Sequence, residues 1–245
     1  VSTHADLHEI VRLTMTAVHQ QSEAGVESLY APEGLETALK LPKSPEKNAT
    51  PVHRPETLRE LYARYCDCTR CRLGSRRQRF VFGAGNEQAV VMFIGEAPGA
   101  EEDAQGLPFV GEAGQLLARI LQAIEFTRDE VYIANTVKCR PPNNRDPEPE
   151  EIASCLPILE EQIRLVRPAL ICALGRIAAH TLLRSDASLN NLRGRFHDYQ
   201  GIKVLVTYHP SALLRNAAFK RPTWEDMKML RREYDRLTAQ QKAEE

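Results

Sequence analysis

A short apolar run, Val90 to Ile94, closes on Gly95 and leads through a long polar loop into a helical pattern. This unit constrains the fold of the chain more than any other. The run has the profile of a buried parallel strand. From Glu112 to Phe126, Leu116, Leu117, Ile120, Leu121 and Ile124 recur at helical spacing. The connection between them is about fifteen residues long, where a strand-to-helix loop normally needs only a few. It carries three acidic residues in a row (Glu101, Glu102, Asp103), two prolines, four glycines and a single aromatic, Phe109. Long loops at the carboxyl ends of parallel strands are where α/β proteins place their sites.

Further strand and helix patterns alternate along the chain. Strands are expected around Phe80–Gly83, Ala89–Gly95, Val131–Asn135, Ala169–Leu174 and Lys203–Thr207. Helices are expected over Glu56–Tyr65, Pro149–Val166, from Gly175 to about Leu183, and over Thr223–Leu237. Such alternation implies a parallel sheet covered on both faces. An amino-terminal helix at Asp6–Gln21 is followed by a Pro-, Lys- and Glu-rich segment, Ala31–Pro55, that reads as a linker. The organisation expected is an appendage, residues 1–55, and an α/β domain, residues 56–240. No stretch is long and apolar enough to span a membrane, and the amino terminus has no secretory pattern. The net charge of −1 does not announce a nucleic-acid partner. Arg193, Arg195, Lys203, Arg215, Lys220, Arg221, Lys228, Arg231 and Arg232 make the last third locally basic, which reads either as a solvated helix face or as a phosphate-binding surface.

Chemistry-bearing residues cluster at the predicted strand ends. Cys68 and Cys71 are separated by two residues, Cys139 and Cys155 by fifteen. The first spacing lets one loop offer two thiolates to one metal or cluster. Four soft thiolates accept zinc or an iron–sulfur cluster, and spacing does not separate the two. Cys66, in CDCTRC, is a rival first ligand, whereas Cys172, in LICALG, reads as a small core residue. His209, held by Pro210 after the last strand, is placed to donate a hydrogen bond to a leaving group. Leu213 and Leu214 read either as core or as a wedge for a base stack. Asn135 ends its strand with both a donor and an acceptor, which is what a pyrimidine edge requires, although such asparagines also cap turns. Phe109 is a stacking platform or a core residue. Neither a phosphate-binding P-loop nor a dinucleotide fingerprint is present.

Together GEAPG, GLPFVGEAGQLL, NTVKCRPPNNRDP and HPSALLR, with the four cysteines, resemble the family 4 uracil-DNA glycosylases over roughly Leu58 to Leu237. The resemblance implies a three-layer α/β/α sandwich around a four-stranded parallel sheet. It implies a [4Fe–4S] cluster on Cys68, Cys71, Cys139 and Cys155, with a structural role. Among the substrate-binding positions it implies are Gly95, Ala97, Phe109 stacking on a flipped uracil, Asn135 reading its edge and Leu213 filling the vacated stack. His209 would stabilise charge at the uracil O2, Glu96 is an acidic site position, and Glu102 with Asn144 matches a positioning pair. Ala97 stands where the classical uracil glycosylase family has a water-activating aspartate. The implied activity is hydrolysis of the N-glycosidic bond of deoxyuridine in single- or double-stranded DNA, by a cytoplasmic monomer. The rival is a uracil-DNA binder or a covalently trapping relative. The trapping relatives carry GEQPG and an inserted loop ending in a nucleophilic histidine. Here Ala97 and the uninterrupted CRPPNNRDP loop argue against that reading.

Overall fold

In a computed structural model, residues 55–244 are described. The expected Asp6–Gln21 helix and the linker lie outside these residues. The elements, in chain order, are α1 (Leu58–Tyr65), β1 (Ala84–Gly85), β2 (Val91–Gly95), α2 (Ala100–Gln105), α3 (Glu112–Ala123) and β3 (Tyr132–Asn135). They continue with α4 (Pro149–Val166), β4 (Leu170–Leu174), α5 (Arg176–Leu183), α6 (Leu189–Leu192), β5 (Phe196–Tyr199), β6 (Ile202–Thr207), α7 (Pro210–Arg215) and α8 (Lys220–Glu244).

The sheet order is β1-β3-β2-β4-β6-β5. Its central four strands are parallel, as expected. The sheet nevertheless has six strands, because β1 and β5 add antiparallel edges. Both extra strands belong to local features too short for a hydrophobic period. β1 has two residues, and the β5–β6 hairpin turns at Gln200-Gly201, both at positive φ. The strand expected around Phe80–Gly83 begins one residue beyond that range, as β1; before it, the Val81 N–H donates to the Lys138 carbonyl at 2.9 Å and the Phe82 carbonyl accepts from Gln162 Nε2 at 3.0 Å.

Alternation along each strand sends side chains to two faces. Met92 and Ile94 join one core with Leu61 of α1, Ile158 and Leu159 of α4, and Ala178 and Leu182 of α5. Val91 and Phe93 join the other with Leu117 and Leu121 of α3 and Met227 and Leu230 of α8. This is the three-layer sandwich. Parallel pairing aligns the carboxyl ends of β2, β3, β4 and β6 along one edge, and Gly95 pairs in register with Asn135. All the strand-end residues singled out above therefore face one rim.

The loop after β2 is not wholly irregular. Ala100–Gln105 is helical, with Glu101, Glu102 and Asp103 in the first turn, where negative charge suits the helix dipole. The acidic run that marked the loop is the start signal of a short helix.

Candidate active site

A cleft of about 480 Å³ opens at this rim, lined by Glu96, Ala97, Glu102, Phe109, Asn135, Asn144, Arg145, Asp146, Gly175, Tyr208, His209 and Arg215 among others. Its size suits a small ligand such as a single base.

Asn135 is buried, and its Oδ1 has no hydrogen-bond partner among the described residues. A buried unpaired acceptor costs free energy, so one lining a cleft is a position held for a donor from a ligand. Beside it, Gly95 leaves no room for a side chain: a Cβ there would sit 2.5 Å from Phe109 Cζ. Phe109 itself has φ 54°, a conformation that costs energy in a non-glycine residue. Arg128 holds it there, donating to the Phe109 and Pro108 carbonyls at 2.8 and 2.7 Å. Gly114 of α3 packs so close under the Phe109 backbone that a Cβ would overlap it.

His209 faces Phe109, with ring centroids 5.5 Å apart. It caps α7: its Nδ1 accepts from the Ser211 N–H at 3.2 Å and lies 2.8 Å from Ser211 Oγ. That bond assigns the proton to Nε2. Burial, with Arg215 nearby, lowers its pKa to about 4, so the imidazole is neutral at working pH. Gly175, at φ 89°, gives it space; a Cβ there would lie 2.9 Å from His209 Cβ.

The carboxylates of the loop differ. Glu96 has a pKa raised to about 7, first by desolvation and then by Asp146, against Arg176 and Arg215. Its carboxylate has no hydrogen-bond or ion-pair partner among the described residues. Glu102, by contrast, accepts from Val110 N and Gly111 N at 2.9 Å each and from Gly99 N at 3.1 Å. Glu102 and Asn144 both line the cleft without bonding each other, and Asn144 Oδ1 accepts instead from Arg140 Nε at 2.8 Å. The two leucines of HPSALLR differ in exposure. Leu213 is buried at 3% exposure, while the next residue, Leu214, is 46% exposed. α7 turns Leu213 into the core and Leu214 outward.

The four framework cysteines pack in or against one hydrophobic cluster. Burial raises the Cys139 thiol to about 12, with Arg77 opposing and Cys155 and Cys71 reinforcing. Burial likewise raises Cys155, which also feels Cys71 and Cys68. The Cys66 sulfur instead lies 3.6 Å from the Ala63 carbonyl and 3.7 Å from Asp67 Oδ2. Among the described residues, no three His, Cys, Asp or Glu side chains are gathered closely enough to hold a single metal ion. Lys138, next to this group, is fully buried and, among the described residues, donates only to neutral acceptors: the Asn135 carbonyl at 2.7 Å and Gln162 Oε1. Its backbone N–H points at Cys155 Sγ, 3.3 Å away. This lysine links the cysteines to the cleft, and it escaped sequence reasoning because KC within NTVKCRPP gives no sign of burial.

Four of the nine basic residues of the last third are paired within the fold, while Arg195, Arg215, Lys220, Arg221 and Arg232 are exposed with no ion pair among the described residues. Arg193 pairs with Asp226, Lys203 with Glu233, Lys228 with Glu225 and Arg231 with Asp235. Arg215 remains at the cleft. No helix among the described residues is long and apolar enough to cross a membrane.

Residues 82–228 match the model of the uracil DNA glycosylase superfamily. The chain is 44% identical over 173 residues to a type-4 uracil-DNA glycosylase of Saccharolobus solfataricus, covering 67% of this chain and 80% of that protein. It is 45% identical over 165 residues to a type-4 uracil-DNA glycosylase of Thermotoga maritima, covering 66% and 86%. A type-5 uracil-DNA glycosylase of Pyrobaculum aerophilum is more distant, 33% identical over 148 residues.

Proposed function

Because the chain belongs to the uracil DNA glycosylase superfamily, and within it to the type-4 branch, we propose that it excises uracil from DNA through the cleft residues described above. It hydrolyses the N-glycosidic bond of a flipped deoxyuridine, releases free uracil and leaves an abasic site. The observation that carries the assignment of roles is the unpaired Oδ1 of Asn135 in a cleft also lined by Phe109 and a neutral His209.

Uracil offers an N3–H donor beside an O4 acceptor, and the Asn135 amide complements both. Cytosine presents the reverse pattern and would leave the buried Oδ1 facing another acceptor. Phe109 stacks on the ring, its face fixed by Arg128. Bond cleavage leaves negative charge on uracil and oxocarbenium character on the sugar. The Nε2–H of His209 is preorganised for the O2 side; being neutral, it donates a hydrogen bond and keeps its proton. Glu96, with a pKa near 7 and no protein partner, is the group on the loop suited to orient and deprotonate water. Glu102 is a positioning residue: it closes the loop on three amides so that Phe109 and Gly99 hold their places. Leu214, not Leu213, is the side chain available to occupy the base stack.

Cys68, Cys71, Cys139 and Cys155 would hold a [4Fe–4S] cluster. The donor chemistry fits, since four soft thiols, Cys68 and Cys71 from one loop, Cys139 from another and Cys155 from α4, pack in or against one apolar cluster. The buried ammonium of Lys138 also lacks a carboxylate, and four thiolates would supply its counter-charge. The cluster's contribution when bound is structural cross-linking, and hydrolysis needs no electron transfer. We assign the activity to residues 56–240, acting as a monomer in the cytoplasm, and give residues 1–55 no role in it.

The test is single-turnover release of free uracil from a labelled oligonucleotide. The wild type should release it, and His209→Ala should be slower by about 10²–10³-fold, the worth of one preorganised donor. No release by the wild type, with a tight or covalent complex instead, would move the protein to the binding or trapping class.

A further inference from the structure

Between Cys68 and Asn86 the chain has five arginines and no acidic residue. Two of the five are spent inside the fold. Arg72 pairs with Glu151 at 2.9 Å and with Glu148. Arg77 donates to the Cys66 and Cys68 carbonyls and lies over the Phe80 ring. Arg76 and Arg79 are exposed and have no carboxylate partner among the described residues.

Their placement is specific. Buried Leu73 anchors a tight turn, closed by Arg76 N and Arg77 N donating to its carbonyl, which throws Arg76 outward. Arg76 then lines a groove with Pro142, Asn143 and Arg145. That groove is the outer side of the turn whose Pro141, Asn144 and Arg145 line the cleft. Arg79 is fixed by a different contact: buried Asp103 of α2 accepts from Gln78 N at 2.9 Å and from Arg79 N at 3.5 Å. The Arg79 side chain lies over Gly106, at the end of the helix that carries Glu102. One unpaired guanidinium therefore stands behind each of two walls of the cleft. Arginines left unpaired beside an anionic substrate's site are suited to its phosphates.

We propose that Arg76 and Arg79 form a second, non-catalytic contact with the DNA backbone, engaging phosphates that flank the flipped nucleotide where the strand leaves the cleft. The inference rests on the uracil-excision reading only for the direction in which the strand leaves. Asp67 lines the groove beside Arg79 without pairing to it, so the surface is not uniformly positive.

The experiment measures affinity for a uracil-free duplex, long enough to extend beyond the cleft on both sides, as a function of salt. It compares the full chain with the Arg76→Ala/Arg79→Ala and Arg76→Lys/Arg79→Lys double variants. Each phosphate contact contributes about 0.9 to the slope of log affinity against log salt, so the alanine pair should reduce its magnitude by about 2. The lysine pair should keep the wild-type slope, and all three proteins should release uracil at the same rate at saturating DNA. An alanine pair with the wild-type slope overturns the proposal, as does a lysine pair that behaves like alanine. If the wild type binds with the expected salt dependence but releases no uracil, the excision reading fails and the backbone contact stands.

Discussion

Glu96 and Glu102 lie on the same segment after β2, six positions apart, and line the same cleft, yet their surroundings are opposite. The first turn of the segment leaves the Glu96 carboxylate desolvated and without a partner, with a pKa pushed up to about 7. The helical middle surrounds Glu102 with three backbone N–H groups, so that both of its oxygens are engaged. A carboxylate whose lone pairs already hold the chain together has little capacity left for water; one that is desolvated and free can take a proton near neutral pH. Both carboxylates face the cleft, and their hydrogen bonds separate the free one from the one that braces the loop.

The largest effect is expected from Glu102→Ala. Three amides would lose their acceptor, at roughly 1 kcal/mol or more each, so a loss of about 3 kcal/mol or more in stability is expected from denaturant unfolding. Activity should fall below detection as Phe109 is released. A variant that stays stable would mean the brace is dispensable. Glu96→Gln sharpens the other half, with an expected loss of about 10²-fold in single-turnover rate above pH 7. The wild-type rate should rise with pH through about 7 as Glu96 ionises, and that limb should vanish in the variant. Stability carries the opposite sign. A folded-state pKa raised above the unfolded value means the native state binds the extra proton, so its contribution is full below about pH 4.5 and is lost as pH rises through 7. Glu96→Gln should therefore unfold at a higher temperature than the wild type at pH 8 and show no such gain at pH 4. The smallest effect is expected from Leu214→Ala: about tenfold slower on duplex substrate and nearly unchanged on single strands, where no stack must be refilled. Equal losses on both substrates would remove the wedge role.

Much of this arrangement was legible in the chain. The alternation of apolar runs and helical spacing carried the four central strands and the layers, because burial imposes those periods. The loop's start was legible too, but its helix was not: EED after Gly99-Ala100 is a helix-start pattern that a Gly- and Pro-rich setting obscured. Periodicity also could not choose between Leu213 and Leu214. A helix of six residues has too few turns to mark a buried face, and only its packing after β6 does so. The two-residue spacing to Cys71 favours Cys68 over the rival Cys66, but only the structure shows the Cys66 sulfur against Ala63 and Asp67. Basic residues were counted along the chain, whereas their availability depends on partners distant in sequence, as the Arg193–Asp226 pair illustrates.

The most direct test of the account is the ratio of kcat/KM for uracil over cytosine at the same position of one oligonucleotide, in the wild type and in Asn135→Ala. If the unpaired Oδ1 is held for the N3–H of uracil, the wild type should discriminate by about 10⁴-fold or more and the variant should lose most of that ratio. A variant that is slower on uracil but equally selective would show that the base is read elsewhere, and would contradict the account.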